Sequence, residues 1–210
     1  MFTKKTNFII LFSVLLYGNM LGQESLCKRF ATLSCPEKRW VVFHPFVAKK
    51  ALQLSLEART VTAEVKQHQL LNGQGNGDQL DAFRHTYWMA RLAQEIHWRK
   101  AKRLGKVHEK GNYRQFKKQK LEEDVLPDKI SSEMDLFNNE IGIAIGKLNP
   151  KTDPKQEVIK WVKEGKCKIM KTDANGNFLD EQNNIIPAEE LKGKWENRKV
   201  LVNSDVEIRQ

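Results

Sequence analysis

From Phe46 to Leu148 apolar residues return every three or four positions, and that spacing commits the middle of the chain to helices packed on one another. Phe46, Val47, Ala51, Leu54, Ala58, Val61 and Val65 trace one stripe, with Pro45 well placed at a helix start. Residues 46–67 are therefore expected to form an amphipathic helix. Asn72-Gly-Gln-Gly-Asn-Gly77 places three glycines in five positions, which suits neither helix nor strand and marks a loop. Asp78 follows as an N-cap, with Asp81 three residues later. A second helix is expected from Asp78 to about Leu104, with Met89, Leu92 and Ile96 facing the core and Trp88 alongside.

Residues 99–120 carry ten Lys or Arg and one acid, Glu109. Helix, a break near Gly111-Asn112 and helix again are expected there, ending before Pro127. Ser131 and Ser132 can cap a helix from Glu133 to Leu148, whose stripe is Met134, Phe137, Ile141, Ile145 and Leu148. Asn149-Pro150 stops it, and residues 154–165 read as a short helix closed by Gly165.

The two ends differ from this middle. A short basic stretch with Lys4 and Lys5, an apolar run from Phe8 to Tyr17 and a small residue at Gly22 form the pattern of a cleavable signal peptide, residues 1–22. The run is too short to cross a bilayer, which takes roughly 20 residues. Residues 23–44 read as an extended N-terminal segment, with Trp40-Val-Val-Phe43 as a short strand or an anchoring segment. Residues 45–166 are the helical domain, and residues 167–210 a tail. In that tail Lys168-Ile-Met-Lys171, the turn Asp173-Ala-Asn-Gly176 and Phe178-Leu179 suggest a β-hairpin, with Val200-Leu-Val202 as a further strand. The expected class is mainly α: a bundle-like domain of four to six helices with a small C-terminal β-hairpin.

The formal charge of +10 becomes +8 once Lys4 and Lys5 leave with residues 1–22. An exported cationic protein, secreted or periplasmic, is drawn to anionic envelope components such as lipid headgroups or wall polymers. A merely soluble cationic surface is the plainer reading. No specific nucleic-acid partner is expected, and no transmembrane segment after removal of the leader. Cys27 and Cys35 are candidate disulfide partners in an oxidising compartment, which leaves Cys167 over. No Cys-x-x-Cys pair exists, which argues against a zinc knuckle or a redox motif.

Three stretches can carry chemistry: Asp78 to Trp88, His108-Glu109, and Met134 to Asn139 with Gly142. On a helix, Asp78, Asp81 and His85 fall within about 60° of one another, at the N-terminal end of the core-facing stripe. Buried acids and imidazoles need partners. Asp135, Asn138, Asn139, Gly142 and Gly146 form a polar, small-residue face on a later helix that can supply them, with His108-Glu109 near the seam. A histidine oriented by an acid is a general base. His85 with Asp135 and Asp81 is thus the candidate catalytic group. Alternatively His85, together with His108, Glu109 and Asp135, has the donor types of a divalent metal site. Asp78, Arg84, Asn138 and Asn139 complete the cluster. Each has a structural alternative: Asp78 and Asp81 as capping residues, His85 as a core histidine bonded to Asp135, His108-Glu109 as a solvated face. His44, His68 and His97 read as structural or surface residues. The Gly-rich loop is no phosphate loop, because no Lys-Ser/Thr pair follows it.

Asp81-Ala-Phe-Arg-His-Thr-Tyr-Trp88, then His108-Glu109, then Met134-Asp-Leu-Phe-Asn-Asn139 with Gly142 resembles a bacterial family described as a domain of unknown function. Its members occur among secreted, wall-associated and toxin-like proteins. The resemblance spans roughly residues 40–165. Thr86 stands where the family usually has Ala, and Phe137 where it commonly has His, which weakens a metal site needing that ligand. Arg84-His85 followed by Tyr87 is also similar, more faintly, to the catalytic helix of secreted phospholipases A2. That family has Asp directly after the His, where Thr86 stands here, and it is disulfide-rich. The likeness implies hydrolysis by a helix-borne His/Asp pair. Two functions remain open from sequence: an exported hydrolase acting on an ester or phosphodiester, or a non-catalytic envelope-binding module whose polar cluster is structural.

Overall fold

The helix that follows the Gly-rich loop is the one against which four other helices pack. In the computed structural model, which describes residues 26–119 and 126–206, the element order is α1 (Leu26–Thr32), α2 (Cys35–Phe43), α3 (Pro45–Gln67), α4 (Gln79–Ile96), α5 (Trp98–Lys117), α6 (Lys129–Leu148), α7 (Lys155–Lys163), β1 (Lys168–Met170), α8 (Ala188–Leu191) and β2 (Leu201–Asn203). The mainly helical expectation holds, with a small antiparallel strand pair near the C-terminus. The chain divides into two compact units, residues 1–33 and 34–210. Of these elements α1 alone lies in the first. The expected signal peptide falls outside the described residues.

Asp78 starts α4 as the sequence suggests. Its Oδ1 accepts from the Leu80 and Asp81 N–H groups, and its Oδ2 from Gly75 N–H at 2.8 Å, so one carboxylate caps the helix and closes the loop. The loop can wrap this tightly because Gly73, Gly75 and Gly77 all take positive φ. Leu80, Phe83, Tyr87 and Ala90 of α4 then join Val65, Ile145, Val158 and Val162 in one core cluster. Met89, Leu92 and Ile96 join Trp40, Leu54, Leu104 and Ile143 in a second. Each fully buried large side chain among them contributes about 1.5–3 kcal/mol of transfer free energy.

The approach of α6 to α4 depends on two missing side chains. A Cβ on Gly142 would overlap the Thr86 carbonyl oxygen, and one on Gly146 the Ala90 carbonyl oxygen. These glycines, four apart, let the α6 backbone lie directly against α4.

Several boundaries differ from the sequence expectation, each for a local reason. Residues 26–43 are mostly helical, not extended, and Trp40 to Phe43 close a helix rather than form a strand. Ser34 and Glu37 make a capping box: Glu37 N–H donates to Ser34 Oγ, and Ser34 N–H donates to Glu37 Oε2 at 2.8 Å. The helix expected from Asp78 to Leu104 breaks at His97, whose φ of 78° is left-handed. His97 Nδ1 caps the next helix by accepting from Arg99 N–H. No break occurs at Gly111-Asn112. Gly111 is needed for packing, since a Cβ there would stand 2.5 Å from Ser34 Oγ, and Asn112 Nδ2 donates to Glu109 Oε2. The N-cap of α6 is Asp128, which accepts from Ser131 N–H while Ser131 Oγ accepts from Asp128 N–H, so Ser131 serves as the second half of a capping box and the helix starts four residues before Glu133.

The turn at Asp173–Gly176 forms, its Asp173 carboxylate accepting from Asn175 and Asn177 N–H. Beyond it the expected pairing shrinks to a single bridge, Thr172 with Phe178. β1 pairs instead with β2, Lys168 opposite Asn203 and Met170 opposite Leu201. Farther along, Lys199 Nζ reaches Asp128 Oδ2 at 2.7 Å, and both side chains are buried, so the tail holds the start of α6.

Cys27 and Cys35 are exposed free thiols, each in its own helix, and Cys167 is a buried one, so the expected disulfide is not formed in this structure. Among the described residues no helix is long and apolar enough to cross a membrane.

Candidate functional site

Helical spacing of four brings Asp81 and His85 onto one face of α4, and the close α4–α6 seam brings Asp135 to meet them. His85 Nε2 lies 3.6 Å from Asp81 Oδ1 and 3.5 Å from Asp135 Oδ1. One donor atom from each of the three residues lies within 4.8 Å of the others. All three residues are buried.

The surroundings hold this group in place. Asp81 Oδ2 accepts from Gly77 N–H at 2.7 Å, which ties the Gly-rich loop to the cluster. Asp81 Oδ1 accepts from Arg84 Nη2 at 2.6 Å. Burial holds the His85 pKa well below the ordinary 6.5, and the positive charges of Arg84, His108 and Arg59 push the same way, against a weaker opposing effect of the Asn139 carboxamide. The imidazole is therefore neutral near pH 7, with a lone pair available on one nitrogen. His85 Nδ1 and both polar atoms of the Asn139 side chain lack a well-formed hydrogen bond among the described residues.

His108 stands beside the group without joining it. Its ring centroid is 6.5 Å from that of His85 and 5.6 Å from that of Trp88, while its Nδ1 sits 2.9 Å from Glu37 Oε1. Glu109 is buried against Asn112. The donors that converge are thus Asp81, His85 and Asp135; of the four donors read from sequence as metal-binding, His85 and Asp135 are among them, and His108 and Glu109 are not. At the edge of the cluster the Arg84 and His108 side chains are 23% and 24% exposed.

Two residues of the sequence cluster have structural work. Asp78 organises the loop and the helix start. Asn138 acts as a strand edge: its Nδ2 donates to Lys168 O, and its Oδ1 accepts from Lys168 N–H, both at 2.9 Å. Sequence reading missed Glu37 and Arg59. Glu37 was legible in Ser34-x-x-Glu37, a capping-box pattern. Arg59 carries no motif; it enters because α3 packs beside α4.

A model of a family described as a domain of unknown function, DUF6973, matches residues 38–169. The chain belongs to this family. The DUF6973 segment contains Asp81, His85, Asp135 and their neighbours Arg59, Arg84, His108 and Asn139, and it begins one residue after Glu37. No curated protein and no solved structure matches the chain.

Proposed function

We propose that this DUF6973 protein is a metal-dependent hydrolase of ester or phosphodiester bonds, with a divalent cation held by Asp81, His85 and Asp135. The observation that carries this reading is the spacing of the three donors. Donor atoms about 2.1 Å from a tetrahedral zinc ion are roughly 3.4 Å from one another, and His85 Nε2 stands 3.6 and 3.5 Å from the two carboxylate oxygens. That is long for a hydrogen bond and fits ligands around a shared ion. A neutral imidazole and two carboxylates are suitable donors for zinc or manganese.

A bound ion there would polarise a substrate oxygen or lower the pKa of a bound water. The chain's own groups supply the rest. Gly77 N–H holds Asp81 Oδ2, and Arg84 Nη2, 2.6 Å from Asp81 Oδ1 and 3.5 Å from His85 Nε2, lies against two of the three donor atoms and would turn aside for a bound ion. Asn139 flanks the imidazole. Arg84 and Arg59 place positive charge at the cluster, which favours an anionic substrate, a phosphodiester over a neutral ester. Export to a secreted or periplasmic setting belongs to the same reading and rests on the N-terminal Lys4-Lys5 and Phe8–Tyr17 pattern.

The test is turnover of bis(p-nitrophenyl) phosphate and of a nitrophenyl carboxylate ester by chelator-treated protein, before and after addition of Zn2+ or Mn2+. Metal-dependent turnover that Asp135→Asn removes supports the proposal. No turnover with either ion, or equal turnover in Asp135→Asn, refutes it.

A further inference from the structure

The basic stretch of α5 does not spread around its helix. Arg103, Lys106, Lys110 and Arg114 follow spacings of three, four and four, which put them along one face. Arg39 of α2 joins them across a groove of about 350 Å³, whose floor and wall are Pro36, Trp40, Phe43, His44 and Val107. Among the described residues none of these five cations lies within ion-pair distance of a carboxylate. The acids on the two helices are engaged elsewhere: Glu37 with His108, and Glu109 with Asn112. Among the described residues the groove is therefore a concentrated positive surface without a paired carboxylate.

Its apolar border is exposed among the described residues. At the corner where α2 gives way to α3, Phe43 is 78% exposed and Phe46 89% exposed, and Val42 is exposed beside them. Leaving two phenylalanines in water costs free energy that a compact domain normally avoids. His44 stabilises the corner that presents them: its ring stacks on Trp40 at 4.6 Å, and its Nδ1 lies 2.8 Å from Trp40 O. Apolar side chains projecting next to a basic helical face match the two attractions of a membrane interface, insertion into the acyl boundary and pairing with anionic headgroups.

We propose that the α2–α5 groove with the Val42–Phe46 corner docks this protein on bilayers rich in anionic phospholipid, with Arg39, Arg103, Lys106, Lys110 and Arg114 on the headgroup phosphates and Phe43 and Phe46 in the interface. A single-stranded nucleic acid would also meet cations and aromatic rings, but exposed aliphatic Val42 offers a base nothing to stack on and suits an acyl boundary. The surface does not include Asp81, His85 or Asp135, so this inference stands or falls apart from the hydrolase reading.

The experiment is cosedimentation of the full chain with vesicles of phosphatidylglycerol and phosphatidylcholine, and with vesicles of phosphatidylcholine alone. Wild type, Lys106→Glu/Lys110→Glu and Phe43→Ser/Phe46→Ser are compared, after circular dichroism has shown that each variant is folded. The expected result is preferential binding to the anionic vesicles that rising salt weakens. It falls by about tenfold or more in the charge-reversed variant and falls also in the serine variant. A parallel titration uses a fluorescent single-stranded oligonucleotide. Equal binding of wild type to both vesicle types, or unchanged binding in both variants, overturns the proposal. So does oligonucleotide binding that depends on the same lysines in the absence of any vesicle preference.

Discussion

His85 Nε2 lies 3.5 Å from Asp135 Oδ1 across a seam between two helices that touch backbone to backbone. The seam exists because Gly142 and Gly146 withhold their side chains, so the site's geometry and the fold's stability share one cause. In an ordinary helix interior, Gly to Ala gains roughly 0.5–1 kcal/mol. Here Gly142→Ala drives a methyl group into the Thr86 carbonyl. The expected outcome is a loss of about 1–3 kcal/mol, read from the urea midpoint. A rise in midpoint would show that α4 and α6 are not in direct contact.

Asn138 is expected to matter for β1 rather than for chemistry. Asn138→Ala removes both hydrogen bonds to the Lys168 peptide and should cost about 1–3 kcal/mol, with faster amide exchange at Lys168. Metal binding by the folded variant should persist, which separates this residue from Asp135 on the same helix.

Much of this was legible in the sequence, and the losses have identifiable causes. The helical periodicity located α3, α4, α6 and α7 because each buries a continuous apolar stripe. It failed over residues 26–43, where α1 and α2 are short and α2 presents Arg39 and Phe43 to solvent, so no clean stripe forms. His97 ended α4 without Gly or Pro to announce it. Gly111 looked like a breaker but serves close packing against Ser34. At the site, the i, i+4 pair Asp81 and His85 and their meeting with Asp135 could be reasoned out. The diversion of His108 to Glu37 and of Glu109 to Asn112 could not, because both depend on where α2 and the rest of α5 lie.

Glu37 predicts a pH dependence. Burial alone would raise its pKa, but the hydrogen bond and charge of His108, with the Ser34 bonds, outweigh it and hold the carboxyl below the ordinary 4.5. A depressed carboxyl stabilises the fold above its unfolded pKa, and that contribution is lost as pH falls through the lower folded value. Wild type should therefore lose stability below pH 4.5 more steeply than Glu37→Gln, as thermal melts across the acid range would show. Parallel curves would mean that the Glu37–His108 pair does not hold in solution.

Cys167 should be chemically silent. Burial pushes its thiol up to about 11, against a weaker lowering by the Thr86 hydroxyl, so little thiolate exists at pH 8. Iodoacetamide applied to the reduced native protein should label exposed Cys35 and spare Cys167 until urea is added, as peptide mass spectrometry would reveal. Comparable labelling of both in the native state would contradict the packing of Thr86 against Cys167.

The most direct test of the central claim is calorimetric titration of chelator-treated protein with Zn2+, run on wild type and on Asp135→Asn. One ion bound per chain by wild type, with affinity lost in Asp135→Asn while its thermal unfolding stays cooperative, is the predicted result. A wild type that takes up no ion, or a variant that binds as tightly as wild type, would contradict a cation site at Asp81, His85 and Asp135.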